Sequence, residues 1–197
     1  MLIMGGNMIG KSVLSLQTGQ PLARIDAPII NPNNLKIVAF YVSGPMVDFA
    51  PAILFTEDIR EYSELGMIVD SSDNIMSPEG MVRLNQVVQM NFTLDGINVV
   101  DENKRKLGKV ENYTIDSDNF QVQQLHIRPT LIKSLSVANL VVARGQIIEI
   151  NNEKITVAAP TVRDGVASKM NELTENSIPF ENPFRKPTPV NDNIEKD

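Results

Sequence analysis

Residues 107 to 127 read LGKVENYTIDSDNFQVQQLHI, and the first half of the chain contains the same pattern a second time. The pairs Asn34/Asn119, Leu35/Phe120, Ile37/Val122, Phe40/Leu125 and Val42/Ile127 are each separated by the same interval, as are Leu22/Leu107 and Ile25/Val110. A fixed offset of this kind marks a duplicated structural unit. In each copy an apolar run opening with Leu-x-(Arg/Lys)-(Ile/Val) passes through a polar Asn/Asp turn into a second apolar run, the signature of a β-hairpin. The first hairpin is expected over about 22–42, turning at Asn31-Pro32-Asn33-Asn34, residue types that favour turns.

Both return strands change phase. Apolar residues fall at 35 and 37 and then at 40 and 42, and likewise at 120 and 122 and then at 125 and 127. Strict alternation would keep one parity, so the pattern predicts a β-bulge near Val38-Ala39 and another near Gln123-Gln124, the device by which small barrels turn corners.

Composition sets the outer limits. A hydrophobic content of 42% with 21% charged residues is ordinary for a globular protein, so a packed core is expected over most of the 197 residues. The net charge of -6 disfavours a surface that coats nucleic acid generally, because phosphate binding is driven by Lys and Arg. There is no cysteine, which excludes disulfides, thiolate catalysis and cysteine-ligated metals and fits a cytoplasmic location. The opening MLIMGGNMIGK resembles neither a secretory signal nor a membrane span, and no later stretch has the ~18 uninterrupted apolar residues of a spanning helix.

The sharpest short motif is GGNMIGKS at 5–12, which places Gly5, Gly10, Lys11 and Ser12 in the slots of a phosphate loop, with Asp70 available as an acidic metal partner. A phosphate loop must open a helix. Here Val13-Leu14-Ser15-Leu16 alternates like a strand and stops at the turn cluster Gln17 to Pro21, and Gly10–Leu14 occupies the place of Gly96–Val100 in the second copy. A nucleotide-hydrolysing enzyme is therefore the disfavoured alternative, and no catalytic residue, cofactor, metal or small-molecule substrate is assigned. Asp116-Ser117-Asp118-Asn119 starts like a calcium loop but has Gln121 and Ile127 where that loop needs Gly and Glu. His126, the only histidine, has no serine elbow or cysteine to activate.

The stretches IGKSVLSLQTGQPLARI (9–25) and EDIREYSELGMIVDSSDNI (57–75) correspond to LDGINVVDENKRKLGKVENYTID (94–116) and RGQIIEINNEKITV (144–157). On these stretches the chain resembles a protein with two tandem PRC-barrel domains, over roughly residues 9 to 158. The resemblance implies a mainly β protein of two small, partly open antiparallel barrels, similar to the barrel of the photosynthetic reaction-centre H subunit and to the C-terminal barrel of a ribosome maturation factor. Both of those are contact modules, so the resemblance implies binding rather than chemistry.

The expected organisation is a first barrel over 1–76, a linker helix over 77–90, a second barrel over 91–158, an amphipathic helix over 159–173 and a disordered tail over 174–197. The linker helix is expected to start with Ser77 as cap and Pro78 in its first turn, with Met81, Leu84, Val87 and Val88 forming a stripe that packs on its own domain. Over 9–70 there are 4 basic and 7 acidic residues, over 91–158 there are 8 of each, and the gain concentrates in Lys104-Arg105-Lys106 with Lys109. The tail is rich in Asn, Pro, Glu and Lys, and holds Phe180, Phe184 and Arg185 as anchors for a docking peptide. The functional expectation is a non-enzymatic adaptor contacting an unidentified protein partner through barrel surfaces, the basic turn and the tail. A ribosome-maturation or rRNA-associated role is the other binding reading, although no aromatic interleaves the basic turn to stack a base.

Overall fold

The computed structural model describes residues 1–129 and 140–158; the helix expected over 159–173 and the tail over 174–197 lie outside the described residues. The fold is mainly β. Strand β1 (Leu2–Met4) leads through a 3-10 turn to β2 (Ser12–Ser15), and the first hairpin is β3 (Pro21–Asn31) with β4 (Lys36–Ser43). Then come β5 (Ala52–Phe55), β6 (Glu61–Tyr62), β7 (Gly66–Val69) and β8 (Ile75–Met76). Helix α1 (Val82–Gln89) precedes β9 (Asn98–Asp101), the second hairpin of β10 (Lys106–Asp116) and β11 (Gln121–Pro129), and β12 (Leu140–Ala143), β13 (Ile147–Ile150) and β14 (Lys154–Val157).

The pairings repeat. In the first half β3 lies between β2 and β4, β5 follows β4, and β7 runs parallel to β2 with β6 beyond it. In the second half β10 lies between β9 and β11, β12 follows β11, and β14 runs parallel to β9 with β13 beyond it. The register irregularities repeat as well: Ile29 faces Ala39 while Ile30 faces Ile37, so Val38 is the extra residue, and Gln123 is extra in the same way opposite Thr114 and Ile115. A second pair of bulges leaves Asp26 and Glu111 unmatched at equivalent places. Each bulge swaps the face of every residue beyond it, which is why the apolar pattern changes parity in the sequence.

The turns follow from their side chains. The Asn31 carboxamide accepts the Asn33 N–H and that of Asn34 accepts the Lys36 N–H, while Asp116 and Asn119 do the same for Asp118 and Gln121. Each turn ends in a left-handed residue, Leu35 (φ 54°) or Phe120 (φ 56°). For a bulky residue that conformation costs roughly 1–2 kcal/mol. It is held because both side chains are buried and both carbonyls accept from the other half: Ile37 N–H donates to Phe120 O and Val122 N–H to Leu35 O, each at 3.0 Å. The two bonds are reciprocal, so the halves meet as in a twofold contact. One hydrophobic core runs through both, with the Phe40 and Phe120 rings edge to face at 5.9 Å.

The strands of the described residues form one 14-stranded sheet, and neither half closes as a barrel, since no pairing there joins β5 to β6 or β12 to β13 to complete a ring. Two expectations are corrected. The halves are not wholly antiparallel, since β2 with β7 and β9 with β14 are parallel pairs. The helix begins at Val82 and not at Ser77, because Gly80 has φ +75° and the Met81 N–H closes a turn onto Pro78 O. A left-handed residue cannot be carried inside a right-handed helix.

Candidate partner-contact face

The two hairpins share a skeleton but not an outer face. On the first, Tyr41, Ile29, Ala39 and Val38, with Ile53 and Phe55 of β5, form an apolar surface on which α1 lays Leu84, Met81, Val87 and Val88. The equivalent positions on the second are His126, Thr114, Gln124 and Gln123, with Val141 and Ala143 of β12. His126 Nε2 lies 2.7 Å from Thr114 Oγ1, and Asn112 Oδ1 accepts the Gly6 N–H at 3.2 Å. Thr114 is itself buried with His126 as its partner, but an apolar helix laid over the half-buried Gln123 and Gln124 would strip their amides of water, whereas contact with water or a polar surface costs little. Beside α1 a groove of about 850 Å³ lined by Val38, Phe55, Met81, Val87 and Met90 stays open on the first half.

Cross-strand register assembles a basic row on the second half. Lys154 of β14 stands opposite Asn98 of β9, Asn98 opposite Lys109 of β10, and Lys109 opposite Arg128 of β11. Residues directly opposite share a face. Their chain neighbours Ile155, Val99, Val110 and Ile127 point into the core, so the row faces outward. Lys106 lies on the same face, opposite Val100. The corresponding row of the first half is Gly66, Ser12, Arg24 and Ser43, with a single cation. Arg128 pairs with Glu111, and Glu149, opposite Thr156, lies three strands from Lys106.

Of the residues singled out in the sequence, Lys106 and Lys109 belong to this row, whereas Lys104 and Arg105 form the β9–β10 turn. Lys104 is exposed and left-handed (φ 62°). Arg105 is turned back: its Nε donates to the buried Asp101 carboxylate at 2.6 Å, and the N–H groups of Arg105 and Asn103 donate to the other Asp101 oxygen at 2.8 and 2.9 Å. Burial alone would raise the pKa of Asp101, but these donors outweigh it and hold the carboxyl below the usual aspartate value. Arg128, Lys154 and Asn98 were not legible as site residues, because only strand register brings them beside Lys109. Phe180, Phe184 and Arg185 lie outside the described residues.

Gly5 to Ser12 does not open a helix. Gly10 (φ +78°) and its equivalent Gly96 (φ +76°) make the same left-handed turn, and their N–H groups donate to Ile25 O and Val110 O, each at 2.8 Å. Gly6 N–H is taken by Asn112, Lys11 N–H by Met8 O, and Lys11 Nζ by Glu64 O at 2.9 Å, while Ser12 begins β2. Three backbone donors of the loop, those of Gly6, Gly10 and Lys11, are thus committed within the fold. Asp70 is held in a two-pronged pair with Arg60. Asp116 closes the second hairpin turn, accepting from Asp118 N–H and Asn119 Nδ2. Among the described residues no group of His, Asp and Glu is arranged to hold a metal ion, and no helix is long and apolar enough to cross a membrane.

No protein-family model matches this sequence, and no curated protein sequence matches it.

Proposed function

We propose that the chain is a non-enzymatic adaptor: a duplicated β unit of the PRC-barrel type, left open, that presents the outer face of its second half to a protein partner. The observation that carries the reading is the divergence of two equivalent faces. One copy keeps Ile29, Ala39 and Ile53 under a helix; the other has exchanged the same positions for Thr114, Gln124 and Val141, the last 44% exposed, and adds a row of cations. A face that served only folding would gain from staying apolar. The segment with Phe180, Phe184 and Arg185 is proposed as a second contact, since aromatic and Arg anchors dominate binding energies.

Affinity capture from native cells, with and without ribonuclease, tests the reading. A protein partner retained after ribonuclease treatment supports the adaptor; a partner lost with the RNA supports the rRNA-associated alternative. Calorimetry with Mg-ATP addresses the enzyme alternative: binding abolished by Lys11→Ala in a folded protein would overturn the adaptor reading.

A further inference from the structure

We infer that the row Lys154, Asn98, Lys109 and Arg128 is a docking strip for an extended acidic polypeptide segment with Asp or Glu at alternate positions. The inference rests on the adaptor reading and names the chemistry of the partner. Four adjacent strands spaced at about 4.8 Å place Lys154 and Arg128 about 14 Å apart across the sheet. An extended peptide carries its i, i+2 and i+4 side chains on one side over about 13 Å. The outer two carboxylates of such a segment meet Lys154 and Arg128, and the middle one, about 7 Å along, falls between Asn98, whose amide already donates to Glu153 O, and Lys109, whose flexible side chain reaches it. Lys106, one step along β10, widens the strip.

Charge and surroundings favour a polypeptide over a nucleic acid. The chain as a whole carries -6, which opposes a long polyphosphate but is screened over the ~8 Å reach of a short peptide contact at physiological salt. The row and the face beside it, Asn112, His126, Thr114 and Gln124, hold no Phe, Tyr or Trp on which bases would stack. Glu111 already engages Arg128, so an incoming carboxylate shares that guanidinium, and the two lysines supply most of the selectivity. The first half, with Arg24 alone in its row and Asp26 as the equivalent bulge residue, provides an internal control.

The test uses the full chain and a fluorescent ten-residue peptide alternating Glu and Ser, read by anisotropy at low and physiological salt. The same peptide with Gln for Glu and a ten-nucleotide single-stranded RNA serve as comparisons. Lys109→Glu with Lys154→Glu is expected to weaken peptide binding about tenfold or more. Lys109→Gln with Lys154→Gln gives a smaller loss, and Arg24→Glu none. Circular dichroism and melting curves establish that the variants are folded, and the Gln pair decides the matter if the Glu pair is not. Equal binding of the Glu and Gln peptides, or unchanged binding by the Lys variants, overturns the inference. RNA that binds more tightly than the peptide and is lost in the same variants also overturns it, in favour of a polyphosphate strip. The two readings fail separately: a cellular protein partner captured equally by the parent and the Lys109/Lys154 variants refutes the strip and leaves the adaptor standing, whereas Mg-ATP binding abolished by Lys11→Ala refutes the adaptor.

Discussion

Gly5 shows how a residue can sit in a motif for reasons unrelated to it. A Cβ added there would overlap the ring of Tyr113, a buried residue of the second hairpin, so the position needs glycine for close packing. Gly5→Ala is expected to destabilise the protein by about 1–3 kcal/mol, as overpacking does, whereas Lys11→Ala changes stability by no more than about 0.5 kcal/mol. Denaturant unfolding of the two variants checks this, and the reverse order would refute the packing argument. Asp101 is the residue whose charge matters to the fold. Its folded pKa lies below the ordinary value, so its contribution is present above the unfolded pKa of about 4 and is lost as the pH falls through the folded value. Asp101→Asn should therefore lower the melting temperature near neutral pH, with the gap to the parent closing in acid. A gap independent of pH would mean that hydrogen bonding alone, without the charge, ties the turn.

At the scale of elements, α1 is a cover for the first hairpin and its energy resides on one side. Leu84 is 5% exposed against Ile29, Ala39 and Ile53, while Val82 is 69% exposed. Leu84→Ala should cost about 2–5 kcal/mol and Val82→Ala no more than about 0.5 kcal/mol, measured by chemical denaturation. The hairpins, their Asn and Asp turns and the Val38 and Gln123 bulges were legible in the sequence because they are local: residue type and parity record them directly. The helix start was not, since Ser77-Pro78 has the composition of a cap and only the left-handed Gly80 reveals a turn. β1 was also illegible, being three residues whose partner, Thr114–Asp116, is more than a hundred positions away. The parallel pairs and the basic row have the same character. Lys154, Lys109 and Arg128 become neighbours only through the register of four strands, and sequence spacing carries no trace of that.

Across the whole molecule, the duplication has produced halves that share their interior and divide their exteriors. The reciprocal bonds between Ile37 and Phe120 and between Val122 and Leu35 join the two hairpin turns, β1 adds the start of the chain to the second half, and one core spans both. Phe120→Ala removes a ring packed against Phe40 of the other half and should cost about 3–5 kcal/mol, lowering a single melting transition and not splitting it in two. That shared interior leaves the second half's outer face free to diverge while α1 packs on the first, which is the basis of the adaptor reading. Native-state hydrogen exchange of the Ile37 and Val122 amides tests it most directly. Both should exchange slowly, with equal opening free energies that match global unfolding. If one exchanges through a cheaper opening confined to its own half, the two copies are independent units and the account of a single fused body is wrong.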